Sequence, residues 1–307
     1  MLLRWTSDKK HALILFNGAV LRNKLKSEDG FRVKNNKTSP KVIFFIAVIA
    51  IIGFLITMGN YLWAFGVTFV MIVGVVIWQW PNILTLKGQA AYADGNNTKA
   101  LSLLKRAHEL PNSRVSNSTT YAYILLRLGQ AQEAANVLNY VLLNQKLKKE
   151  EKLQARQILS LVRYRQGDFA EATRLMEMVF EGYKNSSVYG ALGYYKILSK
   201  APDAEEFNRE AYEYNPDDKV IIDNAVIIAI NNGDYKKAKE LSEKSINANN
   251  KGVEIFYHAG QAYLGLGDKQ KALEHFKKAQ SCTRSFMTTV SEQEIMDAIS
   301  ALESEKN

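Results

Sequence analysis

GDKQKA, residues 267–272, is a tight turn running into a helix, and the pattern recurs along the chain. Gly95-Asn96-Asn97, Gly129-Gln130-Ala131, Gly167-Asp168-Phe169 and Gly233-Asp234-Tyr235 have the same form, and five residues after each glycine stands an alanine: Ala100, Ala134, Ala172, Ala238 and Ala272. The glycines are spaced by 34, 38, 66 and 34 residues. Because 66 is twice 33, a degenerate unit at 198–202 fills the gap, with Ala204 at the alanine place. A fixed period of this length marks a helical repeat array. Glycine ends the first helix of each unit in a left-handed conformation that other residues adopt only at a steric cost. The alanine lets the second helix approach the first closely. Six helix-turn-helix units, and therefore an all-α solenoid, are predicted.

The last unit carries the pattern most fully, in Phe256, Ala259, Gly260, Tyr263, Gly267, Asp268, Ala272, Phe276 and Ala279. The first carries Leu84, Gly88, Gly95, Ala100, Leu104 and Ala107 and closes at Pro111; the fourth closes in Tyr214-Asn215-Pro216. In these residues the chain resembles the tetratricopeptide repeat family. It departs from the pattern at Lys87, at Lys200-Ala201-Pro202-Asp203, and in a longer link at 146–151. The resemblance implies a solenoid over 82–286 whose first helices line a concave, protein-binding groove. Carried residue by residue, it implies groove positions at Tyr92, Tyr123, Arg127, Tyr164, Arg165, Tyr194, Asn224, Tyr257, His258 and Gln261. One subclass grips acidic chaperone tails with a clamp of Lys, Asn and Arg. The corresponding positions here are Thr85, Gln89, Thr120, Gln154 and Ile158, so that clamp is missing.

Before the repeats lies the run 42–80, which contains no Asp, Glu, Lys, Arg or His. A charge-free apolar run of about 18 residues already reads as a membrane span, and this one is twice that length. Gly59 and Asn60 supply turn chemistry in its middle. Two antiparallel transmembrane helices are predicted, 42–58 and 61–80. Trp63, Trp78 and Trp80 stand near the ends of the second, where amphipathic rings settle at lipid–water interfaces. Pro81 is predicted to open a new helix, because its missing N–H is no loss in a first turn.

The net charge of +9 is concentrated in the arm 1–41, which holds ten Lys or Arg against Asp8, Glu28 and Asp29. Basic residues next to a span stay on the cytoplasmic side. The expected localisation is the cell membrane, multi-pass with two spans and both termini cytoplasmic. The arm, with an apolar patch suited to an interfacial helix, would also attract anionic lipid. The near-neutral remainder argues against nucleic acid as a partner. Cys282 is the lone cysteine, which leaves no disulfide framework. At the C-terminal end, 287–307, Ser291 and Glu294 form a capping box before a helix with Ile295, Ile299 and Leu302 on one stripe, suited to covering the last repeat.

His11, His108, His258 and His275 have neither metal-ligand spacing nor a nearby cysteine pair, and the glycines cradle no phosphate. No catalytic group, cofactor or metal is expected, and the protein is not expected to be an enzyme. The expectation is a membrane-tethered adaptor or scaffold for protein partners. The alternative is an assembly factor acting through its transmembrane hairpin within a larger membrane complex.

Overall fold

The computed structural model describes residues 40–144 and 146–304; the arm 1–39 lies outside them, and side chains are described from Ile46 onward. Among the described residues there are fourteen α-helices and no strand. In chain order they are α1 (Pro40–Thr57), α2 (Tyr61–Ala93), α3 (Asn97–Glu109), α4 (Val115–Arg127), α5 (Ala131–Leu142), α6 (Lys149–Arg165) and α7 (Phe169–Gly182). They continue with α8 (Ser186–Leu198), α9 (Ala204–Tyr214), α10 (Lys219–Asn231), α11 (Tyr235–Asn247), α12 (Val253–Gly265), α13 (Lys269–Ser281) and α14 (Glu292–Ser304). The chain divides into two compact units, Met1–Tyr121 and Ala122–Asn307.

In the first unit α1 and α2 are joined at Gly59, whose φ of +73° makes the left-handed turn expected there. Among the described residues only α2 is both long and apolar enough to cross a membrane; the described apolar part of α1, Ile46–Thr57, is shorter. Large side chains on both are exposed, Leu62 by 82% and Trp63 by 71%. Contrary to expectation, Pro81 does not start a helix, and α2 runs through it unbroken to Ala93. A proline inside a helix frees the carbonyl four residues earlier. Here that carbonyl, of Ile77, accepts a hydrogen bond from the Asn112 side-chain amide at 3.2 Å, and the Trp78 carbonyl accepts from the same amide at 3.0 Å. The Arg114 guanidinium lies 5.4 Å from the Trp78 ring centre. A side chain from beyond α3 thus replaces what the proline removes. Past Pro81 the helix turns inward, burying Leu84, Gly88, Tyr92 and Ala93 against its repeat partner α3.

The repeat turns are as read. Gly95, Gly129, Gly167, Gly233 and Gly267 all have φ between +72° and +85°. At each, two backbone N–H groups reach back to helix carbonyls, as Gly267 to Leu264 at 3.0 Å and Asp268 to Tyr263 at 2.9 Å. This pair of bonds satisfies carbonyls that the helix end leaves open. Asn96, Asp168, Asp234 and Asp268 then accept from backbone N–H groups in the first turn of the following helix, which explains the recurrence of Asp after glycine. The five alanines at the crossings are completely buried. In the second unit consecutive helices from α5 to α14 pack on one another, and the first helices of successive repeats, α8, α10 and α12, stack side by side.

The degenerate unit solves the same problem with other residues. Lys200 takes the left-handed place at φ +53°. Two residues are added before α9, so Ala204 only begins that helix and is half-buried. The crossing is instead made by Phe207, Asn208 and Ala211. Asn208 donates to the carbonyls of Gly193 at 3.1 Å and Ala204 at 2.8 Å. Asp203 makes no side-chain cap because it holds the buried Lys196 ammonium at 2.8 Å, which Glu177 also holds at 2.7 Å. Burial opposes the charge on Lys196, but its two carboxylates outweigh that and keep it protonated.

The C-terminal helix is the predicted cover. The Ser291 N–H donates to Glu294 at 2.6 Å and the Glu294 N–H to Ser291 Oγ at 3.1 Å, while Ile295, Ile299 and Leu302 are buried with Phe276 of the last repeat. The Cys282 thiol is half-buried and donates to the Lys278 carbonyl at 3.2 Å, and burial pushes its pKa up.

Candidate protein-binding groove

The first helices of the repeats in the second unit carry most of the groove positions. α4 supplies Tyr123 and Arg127, α6 Tyr164 and Arg165, α8 Tyr194, α10 Asn224, and α12 Tyr257, His258 and Gln261. Tyr92 lies on α2 in the other unit and is 3% exposed, a residue of that unit's core. The remaining positions do not form one uniform surface.

At the middle, the Tyr164 ring stacks on Tyr195 at 5.3 Å and meets Tyr194 edge-on at 5.9 Å. These rings, with Ala191, Asp223 and Met287, line a cavity of about 460 Å³. Burial pushes the phenols of Tyr164 and Tyr194 upward, so both stay protonated and able to donate. Asn224 reaches the cavity wall but is 1% exposed, and its amide is committed to the Gly190 carbonyl at 2.9 Å. It clasps α8 to α10. Tyr257 packs 5.5 Å from Phe276, on the core side, and Gln261 is half-buried.

His258, 8% exposed, meets Asp223 at 2.8 Å through its Nδ1. Burial pushes the imidazole down; the Asp223 charge and hydrogen bond, with Glu254 and Glu294, outweigh it, and the net shift is upward. A folded-state pKa above the unfolded value of about 6.5 stabilises the fold fully below that pH, and the contribution disappears as pH rises through the folded value. Urea midpoints of the detergent-solubilised full chain, measured at about pH 6 and about pH 9, are expected to show His258→Gln losing most at the lower pH. An equal loss at both would show that the pair is not charged.

Phe286 was not singled out in the sequence, yet it lies where the groove residues converge. It belongs to the non-helical segment between α13 and α14. Its ring sits 4.7 Å from the Arg165 guanidinium, 5.0 Å from that of Arg127, and edge-on to Tyr123 at 6.3 Å. Each cation–ring contact of this kind is worth about 0.5–1 kcal/mol at a solvated site. Farther along the segment, the Thr289 N–H donates to Glu254 Oε1 at 2.9 Å, and Thr289 lines the same cavity as Tyr194. The inner face is therefore basic at the Phe286 end and acidic around Asp223 and Glu254. An aromatic in a short non-repeat linker, RSFMTTV, was the signal available in the sequence.

Residues 253–283 match the family model described as tetratricopeptide repeat. The chain carries a tetratricopeptide repeat (TPR) and has the TPR fold. Pseudomonas aeruginosa pilF is similar at 14% identity over 73% of this chain and 97% of its own, with a TM-score of 0.54. The Cut9–Hcn1 hetero-tetramer of the APC/C is similar at 13% identity over 73% of this chain and 46% of that one, also at 0.54. YrrB, described as a TPR protein with an unusual peptide-binding site, is 19% identical over 66% of this chain and 98% of its own, with a TM-score of 0.44. At such identities the likeness is one of fold. No curated protein matches the sequence. Among the described residues no cluster of His, Cys, Asp or Glu is arranged to hold a metal ion. What the TPR helices present instead is tyrosine and arginine, residue types that anchor protein interfaces.

Proposed function

We propose that this protein is a membrane-tethered TPR adaptor whose solenoid gathers partner proteins at the cytoplasmic face through the groove of its second unit. The observation that carries this reading is α2, one helix with two environments. Its first part exposes Leu62, Phe65, Phe69 and Ile72, while its last part is buried as the first helix of a repeat. Such a helix is both anchor and scaffold. In this reading α1 and α2 cross the bilayer as a hairpin, the basic arm stays inside and contacts anionic lipid, and the repeats return to the same side. Tethering raises the local concentration of the groove, so weak contacts suffice to recruit partners.

Proximity labelling in cells, with the full chain beside a Tyr123→Ala, Tyr164→Ala, Tyr194→Ala variant, tests it. The variant is expected to lose its specific neighbours while remaining in the membrane fraction. Unchanged neighbours would remove the groove from the function. The exposed apolar faces of α1 and α2 also favour a second reading, an assembly factor whose spans pack on those of a larger complex. Replacing residues 42–80 with an unrelated two-span anchor separates the two, since an adaptor keeps its neighbours and such a factor loses them.

A further inference from the structure

The groove is not open along its length, because the chain's own segment 282–291 crosses it. We propose that this segment is a built-in competitor, and that the groove takes an extended partner segment whose aromatic side chain replaces Phe286 between Arg127 and Arg165. The proposal rests on the groove reading above and adds the chemistry of the ligand.

The environment of Phe286 is unlike that of the core aromatics. Phe276, 1% exposed, packs against Gly260, where an added Cβ would stand 2.5 Å from its ring. Phe286 instead remains half-exposed between two guanidinium groups and a tyrosine ring, all three supplied by helices at the groove. Such a receptor selects a ring and tolerates exchange of its owner.

The segment is also built to leave. Around Phe286 its hydrogen bonds are its own: Ser285 N–H to Thr288 Oγ1 at 2.9 Å, Thr288 N–H to the Ser285 carbonyl at 3.1 Å, Met287 N–H to Ser285 Oγ at 3.1 Å, and Arg284 to the Val290 carbonyl. Its bond to the groove is that of the Thr289 N–H to Glu254. Val290 is buried with the α14 core and serves as the hinge. Lifting Phe286 therefore leaves the turn and the covering helix intact. At the other end Asp223 is paired with His258, and it is Glu254, released from the Thr289 N–H when the segment lifts, that favours a basic residue in the partner segment beyond its aromatic. A resident segment reduces the apparent affinity for any such ligand by the fraction of time the receptor is open.

The probe is a fluorescent peptide of residues 283–291, added to the detergent-solubilised full chain and followed by anisotropy. Phe286→Ala is expected to bind it at least about tenfold more tightly than wild type, because the competitor at millimolar effective concentration is gone. Phe286→Tyr, which keeps the ring, is expected to bind as weakly as wild type. Adding Arg127→Ala and Arg165→Ala to Phe286→Ala is expected to abolish binding, as is replacing the peptide's phenylalanine with alanine. Unaltered helical circular dichroism establishes that each variant is folded. Equal binding by wild type and Phe286→Ala, no binding by either, or binding that survives loss of both arginines would overturn the competitor. Those results leave the proximity-labelling test of the groove independent, and neighbours still lost from the triple tyrosine variant would then preserve the adaptor reading alone.

Discussion

Replacing Phe69 and Ile72 together by lysine is expected to move the protein from the membrane pellet to the supernatant on alkaline carbonate extraction. Both side chains are more than half exposed on α2 and lie near the middle of its charge-free part. A lysine at the centre of a span costs about 2.5–3.5 kcal/mol of insertion free energy, so the pair opposes insertion by about 5–7 kcal/mol. Leu143→Lys is the matched control. Leu143 is 77% exposed at the end of α5, among the repeats, and its replacement is expected to leave fractionation unchanged. A double lysine variant that stays in the pellet would refute the anchor. The same substitution leaves the repeats folded, because neither residue packs among them.

Phe276→Ala is expected to lower the unfolding free energy by about 3–5 kcal/mol, as read from urea titration of the solubilised chain. Phe276 is buried at the crossing of α12 and α13 and also meets the helix that covers the last repeat. Removing the ring empties the place where three helices converge. Gly260→Ala attacks the same crossing from the other side. Its methyl would meet a ring that has nowhere to move, at a cost of about 1–3 kcal/mol. The two changes are expected to be strongly non-additive. With alanine at 276 there is space for a methyl at 260, so the double variant is expected to lose less than the sum of the singles. Simple additivity would show that the glycine is there for some reason other than room for the ring.

The repeat turns and the covering helix were legible because their determinants are local. A glycine at positive φ, an Asp or Asn accepting from the next helix's first turn, and an alanine at a close crossing are each specified within a few residues, and recurrence multiplied the signal. Ser291 and Glu294 announced α14 for the same reason. The degenerate unit was located correctly but its crossing was not. Two added residues shifted the register from Ala204 to Phe207 and Asn208, and no local pattern reports an insertion of that size. Of the candidate groove residues, Tyr164 and Tyr194 line the cavity and the two arginines face Phe286, whereas Asn224 and His258 have their polar atoms already engaged.

By itself the sequence determined the class of this protein: a charge-free apolar run, then co-phased helical repeats, then a cover. Periodicity and capping act between neighbours in the chain, so they can be read without coordinates. Tertiary structure alone decided that α2 passes through Pro81, because the rescuing amide comes from Asn112 on the far side of α3. It alone gave Lys196 two carboxylates and placed Phe286 between Arg127 and Arg165. Each of those contacts joins different helices or a helix and a loop, and only packing of the helices fixes which of many possible partners they meet.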